Sequence, residues 1–181
     1  MKQHAFLVAS AVFVLATAIG TGASSPRAQA KPQAKLDPAI LTKNVGEMTA
    51  EEEGLFSDAA EATIERVCIA CHPFENITKT RRTAREWNDQ VTVMASRGAP
   101  GTPPDFAAIK KYLTRYYGIV RVNTATAEEL TSVLGLSAKD AGAIVEYRTA
   151  HGNFADLAAL EKVDGLDKAK LEEQPEALRF N

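Results

Sequence analysis

The chain has 181 residues, with 21 Lys+Arg against 23 Asp+Glu and a net charge of −2. That length suits one ordinary domain or two small ones, and the composition is that of a soluble globular protein. The balanced charge excludes a bulk electrostatic pull toward nucleic acid or a membrane surface.

Met1 and Lys2 give a short positive start, and Ala5–Ile19 is apolar throughout. Gly20, small polar residues and Ala28-Gln29-Ala30 follow. This is the pattern of a secretory signal removed after Ala30, with an apolar stretch too short for a comfortable membrane span. The mature chain is therefore expected outside the cytoplasm, in the periplasm or otherwise exported. Residues 31–48 carry Pro32, Pro38 and Gly46 and read as a linker or loose lead-in.

From Thr49 onward, helix-start signals recur. Thr49/Glu52, Asp58/Glu61, Thr83/Glu86 and Thr126/Glu129 each place a capping residue three before a Glu. No stretch alternates like a strand for long, so the chain reads as all-α. Residues 49–118 form a first half. A helix near 58–70 leads into a cysteine motif. A helix near 84–97 puts Trp87, Val91 and Met94 on one face. Residues 98–104, "GAPGTPP", read as a loop. Asp105 then caps a helix with Phe106, Ile109, Leu113 and Tyr116 on one stripe, ending at Gly118. Residues 119–181 form a second half with two similar units, each a short helix, a tight turn at Gly135 or Gly165, and a second helix.

Both cysteines of the chain lie in "VCIACHPF", residues 67–74. A redox dithiol belongs in a βαβ setting that is missing here. A zinc site needs four ligands, and Cys68, Cys71 and His72 supply three. A disulfide across so short a loop is a poor staple. The remaining reading of C-x-x-C-H is covalent haem c, with Cys68 and Cys71 bonded to the macrocycle and His72 as the proximal iron ligand. A half of about 70 residues buries little apolar surface, and a covalent haem supplies both cross-link and core. Trp87 and Tyr112 are among the side chains expected to wrap it.

Residues 58–118 resemble the small mono-haem cytochrome c domains. The residues that carry the resemblance are "CIACH", "RTAREWNDQVTVMASRGA" and "IKKYLTRYYG". It implies a one-electron carrier with His72 proximal and a Met distal. Met48 and Met94 are the mature methionines. Met94, on the apolar face with Trp87, is the expected distal ligand; Met48 and an open iron are the alternatives. Residues 79–85, "KTRRTAR", bring Arg81, Arg82 and Arg85 close to the motif. They are candidates to meet a redox partner or the haem propionates, or a plain solvated helix start.

Residues 121–173 resemble the tandem helix-hairpin-helix domain of the competence DNA receptor (ComEA-type) family. "VNTATAEEL", "IVEYR" and "GNFADL" carry most of the match. In such hairpins a glycine turn offers backbone N–H groups at a helix N-terminus to a phosphate. Here the turns read Gly135-Leu136-Ser137 and Gly165-Leu166-Asp167, each without its second glycine. From Val120 to Asn181 seven basic residues face eleven acidic ones, a net −4. Gly135 and Lys139 are left as a weak phosphate contact.

The sequence thus predicts an all-α protein with a cytochrome c-like haem domain followed by a tandem helix-hairpin-helix domain. The expected function is periplasmic electron transfer to or from a redox protein, with the hairpins as a docking module and no catalytic constellation of its own. The first alternative is a DNA-binding protein of the uptake type carrying a haem. The second is a haem-based sensor with an open iron site.

Overall fold

The computed structural model describes residues 37–181, so the expected signal sequence and its cleavage after Ala30 lie outside the described residues. The elements in chain order are α1 (Pro38–Thr42), α2 (Ala50–Val67), α3 (Glu75–Thr78), α4 (Ala84–Ser96), α5 (Pro103–Tyr117), β1 (Val120–Arg121), α6 (Ala127–Leu134), α7 (Ala138–His151), α8 (Leu157–Leu160), α9 (Lys168–Glu172) and β2 (Leu178–Arg179). Among the described residues, no helix is long and apolar enough to cross a membrane.

One local device starts four of these helices. Thr49, Thr83, Thr102 and Thr126 each accept from the N–H three residues on. The acid at that position accepts in return from the threonine N–H. Each box satisfies two backbone donors that a helix start leaves free. Two expectations shift. Asp58 and Glu61 lie inside α2 and start nothing, because Thr49 opens that helix nine residues earlier. Asp105 is the returning acid of a box capped by Thr102, with Pro103 and Pro104 in the first turn, where a missing N–H costs nothing.

Two buried clusters organise the molecule. In the first, α2 presents Phe56, Ala60, Ile64 and Val67 to Ile109, Tyr112 and Leu113 of α5 and to Trp87 and Val91 of α4. Each fully buried side chain of this size contributes about 1.5–3 kcal/mol. The indole Nε1 of Trp87 donates to Tyr117 O at 2.9 Å, and the Tyr112 hydroxyl donates to Glu61 at 2.7 Å. The second cluster runs from Val120 to Leu178 through Leu130, Leu136, Ile144 and Leu171. Its ends are tied by the parallel pairing of β1 with β2, Val120 opposite Leu178, a short element that the all-α expectation lacked.

The lead-in expected to be loose is docked from Asp37 onward. Lys111 of α5 donates from Nζ to the carbonyls of Ile40, Leu41 and Lys43, closing the C-terminal end of α1. Val45 is buried, and a Cβ on Gly46 would overlap the carbonyl oxygen of Leu136 in the first hairpin turn. The two clusters also meet through Arg115 of α5. It is 2% exposed, bonds Glu53 of α2 at 2.9 Å and reaches Glu173, just past α9, at 3.6 Å.

Candidate nucleic-acid interface

The first hairpin is α6, the turn at Gly135-Leu136-Ser137, and α7. Gly135 ends α6 at φ +68°, and its N–H donates to Thr131 O at 2.9 Å. That left-handed backbone lets the chain reverse within three residues. Leu136 is fully buried and anchors the turn. Ser137 caps α7 by accepting from the Asp140 N–H at 3.1 Å. Ala138 and Lys139 are exposed at the start of a 14-residue helix. Gly135 is therefore withdrawn as a phosphate contact. Its N–H is spent inside the helix end, and a Cβ there would meet the Arg115 guanidinium. The available donors are the N–H groups of Ala138 and Lys139 and the Lys139 ammonium.

The second hairpin, α8 to α9, turns at Gly165 with φ +78°. Asp167 caps α9 through its own carboxylate, which accepts from the Lys170 N–H at 3.4 Å. A five-residue helix headed by a carboxylate makes a poor anion site. Much of the basic charge in this half is structural. Arg148 donates to the carbonyls of Val122 and Ala125, Lys170 pairs with Glu53 and Glu173, and Arg179 bonds the carbonyls of Glu176 and Leu178.

A clamp that the motif resemblance did not explain holds the hairpins together. Asn123 donates to Phe154 O at 2.9 Å and Phe180 O at 2.7 Å, and accepts from the Phe154 N–H at 2.9 Å. The signal was present in "VN" and "GNF", but the third partner lies at the C-terminus.

The cysteine motif occupies the turn after α2. Cys68 is the last cap of that helix, and the Cys71 N–H donates to Cys68 O at 3.3 Å. Both cysteines are unpaired; Cys68 is half-buried and Cys71 exposed. Burial, then the neighbouring Cys71, pushes the Cys68 thiol up, away from the reactive thiolate. The half-buried His72 directs Nδ1 at Pro73 O, 3.4 Å away. Among the described residues, no three His, Cys, Asp or Glu side chains converge as they would around a bare metal ion. Met94 is half-buried in the last turn of α4. Trp87 and Tyr112 lie in the core with their polar tips bonded to protein groups. Arg81, expected as a partner contact, is spent internally on the carbonyls of Tyr116 and Gly118 and on Glu176. Arg82 lies over the Trp87 ring at 5.4 Å, and Arg85 is exposed.

Residues 117–179 match the family model described as the helix-hairpin-helix motif. An uncharacterized protein of Haemophilus influenzae is 45% identical over 62 residues, 34% of this chain and 55% of that protein. The ComE operon protein 1 of Bacillus subtilis is 37% identical over 54 residues, 30% of this chain and 26% of that protein. The endonuclease/exonuclease/phosphatase family domain-containing protein 1 of Rattus norvegicus is 47% identical over 53 residues, 29% of this chain and 9% of that protein. The chain thus spans about half or less of the length of these relatives. No solved structure matches it. These matches correct the functional expectation. An electron carrier that uses its hairpins to dock a redox partner is displaced by the DNA-binding alternative, since the family match lies on the hairpin half and the relatives include the ComE operon protein 1 of Bacillus subtilis. The chain carries a helix-hairpin-helix domain over residues 117–179.

Proposed function

We propose that this chain is an exported DNA-binding protein of the uptake type, which holds duplex backbone at its first hairpin and also carries one covalent haem. The carrying observation for DNA is the exposed start of α7, where Ala138 and Lys139 stand free behind the glycine turn. Backbone N–H groups and a helix dipole at such an end favour a phosphate, and Lys139 adds a charge. The contact carries no base readout, so binding is sequence-tolerant and salt-sensitive. Fluorescence anisotropy with a labelled mixed-sequence duplex tests this. Binding that weakens steeply with salt and drops in Lys139→Glu supports the reading; no binding at low salt sinks it.

The haem rests on residues that fit it. Covalent attachment asks for two free thiols three residues apart, which Cys68 and Cys71 supply. His72 follows directly, its Nδ1 3.4 Å from Pro73 O, and its Nε2 would be the iron ligand. Bound there, the group would be held by Cys68, Cys71 and His72, with Met94 as a further candidate ligand, and would supply a redox-active iron. The mass of the chain after export in a haem-attaching host decides the question. A gain of one haem that is lost in Cys68→Ala/Cys71→Ala is expected, and an unmodified mass rules the group out.

A further inference from the structure

The two halves join along a seam that gathers arginines from both. The Arg82 N–H donates to Tyr117 O at 3.3 Å, and Arg82 O accepts from the Ile119 N–H at 2.9 Å. Residue 82 thereby pairs with Gly118 in a parallel bridge, two residues before β1. Thr83 and Ala84 then share a shallow groove of about 80 Å³ with Arg121, Thr124 and Glu129.

The cations on this rim make no side-chain hydrogen bonds among the described residues, although the Glu86 carboxylate lies in the field of Arg82 and Arg121. The Arg82 Nε is buried and has no hydrogen-bond partner among the described residues. Stacking on Trp87 holds its guanidinium in place. Arg85, one residue beyond Ala84, and Arg121 are both exposed. Two carboxylates, Glu86 and Glu129, stand nearby, and both are engaged in capping. Glu86 accepts from the Thr83 N–H at 2.8 Å, and Glu129 from the Thr126 N–H at 2.9 Å. The groove is far smaller than the roughly 300–1,000 Å³ of a small-molecule pocket. Guanidiniums over a shallow surface suit an extended chain of phosphates better than one small anion.

We propose that Arg82, Arg85 and Arg121 form a second phosphate-backbone contact for duplex DNA, assembled because the two halves pack, with Arg82 and Arg85 adding to Arg121 positive charge from outside the hairpin half. This rests on the DNA-binding reading above. It also explains why a net charge counted on residues 120–181 alone understates the capacity for DNA.

The test uses the full chain and a labelled mixed-sequence duplex, with affinity followed from 50 to 200 mM salt. Each phosphate contact adds roughly 0.9 to the slope of log affinity against log salt, so Arg85→Ala/Arg121→Ala should lower that slope by about 1.8. Affinity at the lowest salt should fall at least about tenfold. Both side chains are exposed, so the fold is expected to survive, which circular dichroism checks. Arg82 is left in place because its stacking on Trp87 bears on folding. If the unaltered chain binds and the double variant keeps its slope and affinity, the seam is overturned while the hairpin contact stands. If the unaltered chain shows no salt-dependent binding, the DNA reading fails and the seam with it.

Discussion

Asn123 and Phe154 exchange two hydrogen bonds, one side-chain amide against one whole peptide unit, at 2.9 Å each. The same amide reaches Phe180 O, so one residue ties the entry to α6, the connection after α7 and the C-terminus. Asn123→Ala leaves one N–H and two carbonyls without their partner. Each unsatisfied buried group costs about 1–3 kcal/mol, and partial exposure allows water to relieve part of it. A loss of about 2–3 kcal/mol is expected in urea unfolding. An effect below about 0.5 kcal/mol would remove Asn123 from this role.

Arg115 links the two clusters. It lies between Glu53 and Glu173 with its guanidinium under Gly135. Removing one partner of a buried ion pair costs about 3–5 kcal/mol, because the other charge is left buried. Arg115→Ala is expected to lower stability by that order and to split unfolding into two transitions. One unshifted cooperative transition in calorimetry would show that the halves are held by other contacts.

Gly46 is a steric test of the same junction. Its backbone lies against the Leu136 carbonyl with no room for a Cβ. Gly46→Ala is expected to push the lead-in off the first hairpin turn, read as faster amide exchange at Val45–Glu47. Unchanged protection there would mean that the turn yields instead.

Acid should weaken the chain through its capping boxes. A hydrogen bond from Lys43, then one from the Thr49 N–H, holds the Glu52 carboxyl below its ordinary 4.5. Bonds from the Thr83 backbone and side chain do the same for Glu86. For Asp105, burial pushes upward but the Thr102 N–H and Arg66 outweigh it, leaving it below 3.8. A carboxyl whose folded pKa is depressed stabilises fully above its unfolded value, and that stabilisation is lost as pH falls through the folded value. The urea midpoint is therefore expected to hold from pH 7 to about 5 and to decline below about 4.5. Glu86→Gln should shallow that decline; an unaltered profile would clear this box of the effect.

If haem is attached as proposed, Met94 can be tested on the loaded chain by its spectrum and its midpoint potential. Met94→Ala is expected to abolish a methionine–iron charge-transfer band and to lower the midpoint potential, since a Met ligand raises it. An unchanged spectrum would pass the sixth position to Met48 or leave it open.

Features decided within four residues are legible in the chain's local order. The capping boxes at Thr49, Thr83 and Thr126 and the glycine turns of the hairpins are hydrogen bonds or backbone angles set by near neighbours. The Asp58/Glu61 pattern misled because a box also needs a non-helical backbone at its cap, which the interior of α2 does not provide. Tertiary structure alone decided the rest. Nothing near Arg81 shows that its charge is spent on Glu176, or that Arg82 pairs with Gly118 and brings Thr83 and Ala84 to one groove with Arg121. Those contacts join residues far apart in the chain. They form only after two separate apolar clusters have paid the entropy of bringing the halves together.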